Sequence, residues 1–448
     1  MKQQTVIISD LHLGGGAADP GDDHVYQGQQ LARFIEQLLG SDAGRSGAIE
    51  LFINGDFLEF AQTLQDAYKS PSPRYWCSEA QSIRKLDAIL AGHPRVFSLL
   101  GSLIDRRNLV TIAAGNHDVD LYWPDVQASL RQVTRPALSF ELGKEWVTRY
   151  DGRLQIAHGH IKDPANTFEH WADPILDAPG GQRLEMCPGT LFMVKVVNFM
   201  EARYPFADNL HPVQQLGDLL WREEKSGYAA AAWALGRFMA RHPKLMKIQG
   251  KDDFGPALLA RVQKNDRVAG LLLAAAEPSA PTGEASLATW RTSVATEDQL
   301  ADFLVEHWQQ LDSAGVTQEL SPGGGAMMGT GQTKVMGLIR KGGSFGRQAL
   351  RDIASRRAED EPMAQVVVMG HTHLPDDAPV LDGRARYFNP GSWTRYLDLE
   401  AHPALRLDDL RDESQFPYAL NSVRVERGPG DRLIATLRSF EEQHARFG

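Results

Sequence analysis

Cysteine is nearly missing from this chain: Cys77 and Cys187 stand alone among 448 residues, with no C-x-x-C pair. That excludes a disulfide framework and a thiolate zinc site. Long apolar runs are also missing. Nothing approaches the roughly 18 uninterrupted apolar residues of a membrane-spanning helix, and the opening MKQQTVIISD lacks the apolar core and cleavage site of a secretory signal. Excess positive charge is the third lack. A formal net charge of −10 argues against nucleic-acid binding by bulk electrostatics. A cytoplasmic, soluble protein is expected. At 448 residues the chain exceeds the size at which one core keeps growing, so either one large domain with an insertion or two domains are expected.

What is present is a rhythm. Residues 5–9 (TVIIS), 50–54 (ELFIN), 109–113 (LVTIA), 154–157 (LQIA) and 365–369 (QVVVM) read as short buried strands. Each runs straight into a polar loop. Helical spacing covers 25–39 and 78–103, the latter broken at His93-Pro94 because proline cannot continue the hydrogen-bond ladder. A strand pair across a Gly143-Lys144 turn is expected within 139–150, a strand at 386–388, and a closing hairpin from 421–427 and 432–437. Between 164 and 341 the rhythm stops. Apolar spacing there predicts helices at 190–201, 214–224, 228–241, 255–276 and 299–312, with linkers at 277–286 and 321–331. The α/β core is therefore read as 1–163 plus 342–448, and 164–341 as a mostly helical insertion.

The polar loops hold Asp10 and His12, Asp56, Asn116 with His117 and Asp118, His158, and His371 with His373. Polar groups just past the carboxyl ends of buried strands lie where open α/β sheets bind ligands. Each loop has an ordinary reading as well: a helix cap, a turn, or a hydrogen-bonded histidine. Five of them at one position is another matter. All the side chains are oxygen or imidazole donors, suited to Mn, Fe, Zn or Co rather than to softer metals. The set is too large for one ion and would be used fully by two ions sharing a carboxylate.

The ordered series DLH, GD, GNHD, HGH and GHTH resembles the calcineurin-like metallophosphoesterase superfamily, whose pattern is D-x-H, GD, GNH[DE], H and GHxH. The likeness covers 5–160 and 365–437. It implies a sandwich of two mixed β-sheets flanked by helices, with 164–341 as a cap. It implies that Asp10, His12 and His373 hold one divalent ion (Mn first; Fe, Zn or Co also fit), that Asn116, His158 and His371 hold another, and that Asp56 bridges them. It further implies hydroxide attack on phosphorus, His117 as the acid at the leaving oxygen, and Asp118 orienting His117. His160 has no place in the pattern and is expected to be an ordinary loop histidine. SDLHL, GDFLEF, GHTH and FNPGSWTR are similar in style to bacterial enzymes of the UDP-2,3-diacylglucosamine hydrolase type, which are shorter and usually carry arginine where this chain has His117.

The expected activity is hydrolysis of a phosphodiester, pyrophosphate or phosphomonoester bond in a small nucleotide, nucleotide-sugar or lipid-linked substrate. A non-catalytic binding module, or a protein phosphatase, is the alternative. Arg74, Arg106 and Arg395 are candidate phosphate contacts. Trp393 and Asn389 could line the pocket or pack in the core. Residues 323–331 superficially resemble a phosphate loop but lack its Gly-Lys-[Ser/Thr] ending.

Overall fold

The structure is a computed structural model. It describes most of 4–440, leaving out 220–258, 304–345, both ends and short pieces within 19–23, 65–73, 195–218, 261–302 and 399–417. The helices expected at 214–224, 228–241 and 299–312 fall largely outside the described residues, as does the 321–331 linker.

Two mixed sheets are present. The first has six strands in the order β15-β14-β1-β2-β3-β4: β1 (Gln4–Ile8), β2 (Ile49–Asn54), β3 (Leu109–Ala113), β4 (Ser139–Glu141), β14 (Asn421–Arg427) and β15 (Leu433–Ser439). β1 to β4 run parallel, and β14 and β15 close the edge antiparallel. The second has five strands in the order β11-β12-β10-β6-β5: β5 (Val147–Arg149), β6 (Leu154–Ala157), β10 (Val366–Met369), β11 (Asp376–Val380) and β12 (Ala385–Asn389), with β6, β10 and β12 parallel. The period-two pleat sends Ile7, Phe52 and Val423 of one sheet, and Ile156, Val368 and Phe388 of the other, into a shared apolar core. The opposite pleat of the first sheet, Val6, Ile8, Leu51, Ile53, Val110 and Ile112, is equally buried. There α4 (Pro94–Asp105) lies against β3, and α1 (His24–Gly40) against α4. On the far face of the second sheet, α9 (Arg347–Asp360) inserts Leu350, Ala354 and Ala358 among Val367, Met369 and Tyr387. Other helices of this part are α2 (Asp42–Arg45), α3 (Glu79–Gly92), α5 (Pro124–Val133) and α6 (Pro188–Phe192).

The chain divides into two compact units: 1–211 with 345–403 and 408–448, and 212–344 with 404–407. The second unit contains α7 (Asp266–Ala276) and α8 (Glu284–Ser293), packed through Leu272, Leu273, Leu287 and Trp290. Among the described residues, no helix is long and apolar enough to cross a membrane.

Several expectations need correction. The strands at 139–141 and 147–149 do not pair with each other: β4 joins β3 in the first sheet and β5 joins β6 in the second. Gly143 supplies a positive φ of 71° that a hairpin or a crossover uses equally well, so local chemistry cannot tell them apart. Residues 164–211 belong to the first unit and include the hairpin β7 (Ile175–Ala178) and β8 (Gly181–Leu184). They also include β9 (Leu210–His211), which pairs with β13 (Leu397–Asp398). The helix read at 255–276 is interrupted at Asn265, whose side chain accepts from the Val268 N–H and restarts it. The linker read at 277–286 already opens α8 at Glu284. β11 escapes sequence reading because Pro379 and two aspartates suit only an edge strand, which is what it is.

Candidate metal centre

The register of the parallel strands decides what meets at their carboxyl ends. Ile8 pairs with Ile53 and Asn54 with Ala113, so the loops carrying Asp10, Asp56 and Asn116 leave the first sheet side by side. Met369 pairs with Ala157, so the loops of His158 and His371 leave the second sheet together. Hydrogen bonds then join the sheets. The His371 N–H donates to the Asp10 carboxylate (3.0 and 3.1 Å), and the Trp393 N–H and Ser392 hydroxyl donate to the Asp10 carbonyl (2.9 Å each). The Asn54 amide donates to the Ala157 carbonyl at 2.9 Å.

The backbone is held in a costly shape here. Asp10, His12, Asp56, His371 and His373 all have positive φ, from 45° to 71°. For residues other than glycine this costs about 1 kcal/mol each and marks sites where surrounding structure over-determines the conformation. That structure includes N–H donation from Leu11 and His12 to the Asp56 carbonyl (2.8 and 2.9 Å). Two motif glycines are needed for space. A Cβ on Gly115 would lie 2.1 Å from Asp56 Oδ1, and one on Gly370 would lie 2.1 Å from Ser9 Oγ and 2.7 Å from Asp10 Oδ2.

Six of the seven expected ligand residues converge, and the seventh, Asn116, precedes His117, whose N–H donates to Asp56 Oδ1 at 2.9 Å. Donor atoms of Asp10, His12 and His373 lie within 4.8 Å of one another, and so do those of Asp56, His158 and His371; His12, Asp56 and His117 form a third such group. Hydrogen bonds fix how the rings present themselves. His158 Nδ1 donates to the Asn54 carbonyl at 2.8 Å, which makes Nε2 the nitrogen turned toward Asp56 Oδ2, at 3.1 Å. His12 Nδ1 lies 2.8 Å from Glu59 Oε2, and its Nε2 lies 3.1 Å from His373 Nε2. Two imidazole nitrogens turned toward each other beside buried carboxylates suit a shared cation. Asn116 turns its amide nitrogen to Asn166 Oδ1 (3.3 Å), while its own Oδ1 is buried with no hydrogen-bond partner. Such an orphan oxygen is costly unless an ion takes its lone pair. The donor set therefore fits divalent cations, and Asp56 belongs to two of the three groups.

Asp118 does not orient His117. Its carboxylate accepts the Gly115 and Phe57 backbone N–H groups and so ties the third ligand loop to the second. Burial, with the Asp56 charge, raises Asp118 to about 7. The partner of His117 is Glu59, whose Oε2 lies 2.6 Å from His117 Nδ1 and serves His12 as well. Burial alone would raise Glu59, but the two imidazoles outweigh it and hold the carboxyl well below the usual range. Burial alone would likewise keep His117 neutral; Glu59 and Asp56 outweigh it and carry the imidazole to about 10. Sequence reading missed Glu59, although it lies in GDFLEF. The signal was a carboxylate among Phe57, Leu58 and Phe60, where only a partnered charge survives burial.

The other candidates fall outside this cluster. Arg106 donates to the Leu39 carbonyl (2.9 Å) just before β3 begins, at the end of the sheet away from the ligand loops. Arg395 is buried, donates to the Phe416 carbonyl (3.0 Å) and covers the Tyr418 ring. Arg74 is exposed. Trp393 is a core residue, packed edge-on against Phe34 and donating to the Asn421 carbonyl. Asn389 donates to the Gly370 carbonyl (3.1 Å) and so braces the GHTH loop. His160 is buried beside Trp171, with ring centroids 4.3 Å apart and neither ring nitrogen hydrogen-bonded; burial, reinforced by His158 and His371, lowers its pKa. A further group, Glu169, His170 and Glu185, is mostly exposed, and Glu185 already accepts the Glu169 and His170 N–H groups. Compared with known proteins, the sequence matches no protein-family model and no curated protein.

Proposed function

We propose that this chain hydrolyses a phosphoric ester with the help of two divalent cations, on a metallophosphoesterase sandwich into which the second unit is inserted. One observation supports the reading: donor atoms of Asp10, His12 and His373 form one group, those of Asp56, His158 and His371 form another, and Asp56 also groups with His12 and His117. Manganese is the first choice of ion, with Fe, Zn or Co also fitting these donors. When bound, two such ions supply Lewis acidity at the phosphoryl oxygens and an activated water at neutral pH.

The chain's own residues do the remainder. His117, protonated and held at Nδ1 by Glu59, presents its other ring nitrogen to donate a proton to the departing oxygen. Asp118 keeps the GNHD loop against the Phe57 backbone, so that the proton donor and Asn116 are placed together. A phosphodiester or pyrophosphate in a small nucleotide, nucleotide-sugar or lipid-linked compound is the favoured substrate, on the motif likeness alone.

The test uses the purified full-length chain. Its metal content is measured, and aryl mono- and diesters, cyclic nucleotides and nucleotide-sugar pyrophosphates are offered with Mn, Zn, Fe or Co. Two bound ions and Mn-stimulated hydrolysis are expected. Absence of both would sink the reading, and bound metal without turnover on any of these substrates would favour a binding module.

A further inference from the structure

The loop after β6 contains two residues that no motif contains, Asp163 and Asn166. Asp163 Oδ2 lies 2.9 Å from His371 Nε2 and accepts the Asn166 amide nitrogen at 2.8 Å. Asn166 Oδ1 in turn accepts from Asn116 Nδ2 at 3.3 Å. The loop itself is fixed: the Ala165 N–H donates to Asp163 Oδ1 (3.0 Å), and the Gly189 N–H donates to the Ala165 carbonyl (2.6 Å).

These contacts form one chain with a direction. An ionised carboxylate only accepts, so the atom facing Asp163 on each neighbour must be a donor. On His371 that puts the proton on Nε2 and the lone pair on Nδ1. On Asn166 it turns the NH₂ toward Asp163 and the oxygen toward Asn116. That oxygen accepts only from the Asn116 NH₂, which leaves Asn116 Oδ1 as the orphan acceptor already described. Reverse any link and one of the two ligands would offer a cation an N–H instead of a lone pair.

We infer that Asp163 is a positioning residue that, through Asn166, sets the donor polarity of His371 and Asn116 at once and so builds the second cation position. The inference rests on the two-cation reading above and adds to it a residue pair with no ligand role. Partners of ligating side chains commonly change metal affinity 10- to 100-fold. Only one of the two positions depends on this pair, because Asp10, His12 and His373 do not touch it.

The experiment is a Mn²⁺ titration of the full chain and of the Asp163→Asn, Asp163→Glu and Asn166→Ala variants. Bound Mn is counted after dialysis, and electron paramagnetic resonance distinguishes a coupled pair from a single ion. Wild type should bind two Mn²⁺ and give the coupled signal. Asp163→Asn should keep one ion and weaken the other about 10- to 100-fold, giving a single-ion spectrum. Asp163→Glu should recover part of the loss, and Asn166→Ala should lose less than Asp163→Asn because His371 keeps its partner. Two ions held by both Asp163→Asn and Asn166→Ala with wild-type affinity would overturn the inference and leave the two-cation reading intact. A wild-type chain that binds fewer than two would overturn that reading and this one with it. If Asp163→Asn does not fold, Asn166→Ala decides alone.

Discussion

The two sheets contribute unlike chemistry to the same place. The first brings the charge: Asp10, Asp56 and Glu59, all essentially inaccessible to solvent, with Asn116, His12 and His117. The ligand residues on the strand-end loops of the second are all imidazoles, His158, His371 and His373. Buried carboxylates are expensive unless compensated. Compensation comes from across the sandwich, with His158 Nε2 3.1 Å from Asp56 and His373 Nε2 3.4 Å from Asp10. Burial lowers the His158 pKa, yet Asp56 and Asp10 outweigh it and raise it to about 9. Closing the apolar seam and neutralising the carboxylates are thus one event. Neither sheet holds a complete set of donors.

That contrast can be broken most completely at Asp56, whose carboxylate lies 3.1 Å from His158 Nε2 of one sheet and 3.8 Å from His12 Nε2 of the other. Asp56→Ala should lose both ions in metal analysis and all detectable hydrolysis; retention of even one ion at wild-type affinity would mean that the sheets hold cations independently. His117→Ala comes next. Turnover should fall about 10²- to 10⁴-fold, as for loss of a general acid, with metal content nearly intact. Loss of metal in that variant would instead make His117 a ligand, consistent with its place beside His12 and Asp56. Glu59→Gln should be milder, about 10- to 100-fold, and should affect both turnover and Mn²⁺ affinity, because one oxygen serves His117 and His12. An effect on only one of the two would show that the carboxylate is not shared in solution. The smallest effect belongs to Arg106→Ala, at the far end of the sheet, where kcat/KM should stay within about twofold of wild type, as for a surface change away from any site.

The ligands were legible because each follows a strand by one or a few residues, so a one-dimensional pattern carries the three-dimensional position. Their partners were not. Glu59 is three residues from Asp56 inside an apolar run, and Asp163 follows His160 in a segment without a motif; what either touches is settled only by folding. Asp118 shows the converse error. Adjacent in sequence to His117, it faces backbone N–H groups instead. In the fold, β1 to β3, β6 and the closing hairpin were readable from β-branched runs. α9 was not, because its buried stripe is only Leu350, Ala354 and Ala358, and the allocation of β4 and β5 to different sheets has no local signature.

That last feature has a kinetic side. Only residues 142–146 separate the end of β4 in one sheet from the start of β5 in the other. The entropic cost of closing a loop grows with its length, so a crossover this short is among the cheapest ways to bring two sheets face to face. The remaining links between the sheets span far more chain. Docking of the sandwich should therefore begin at the 142–146 corner, which lies at the carboxyl ends of β3 and β6 (Glu141 pairs with Ala113 and Val147 with Ile156), so the end of the sandwich that carries the carboxylates and imidazoles is the end that closes first.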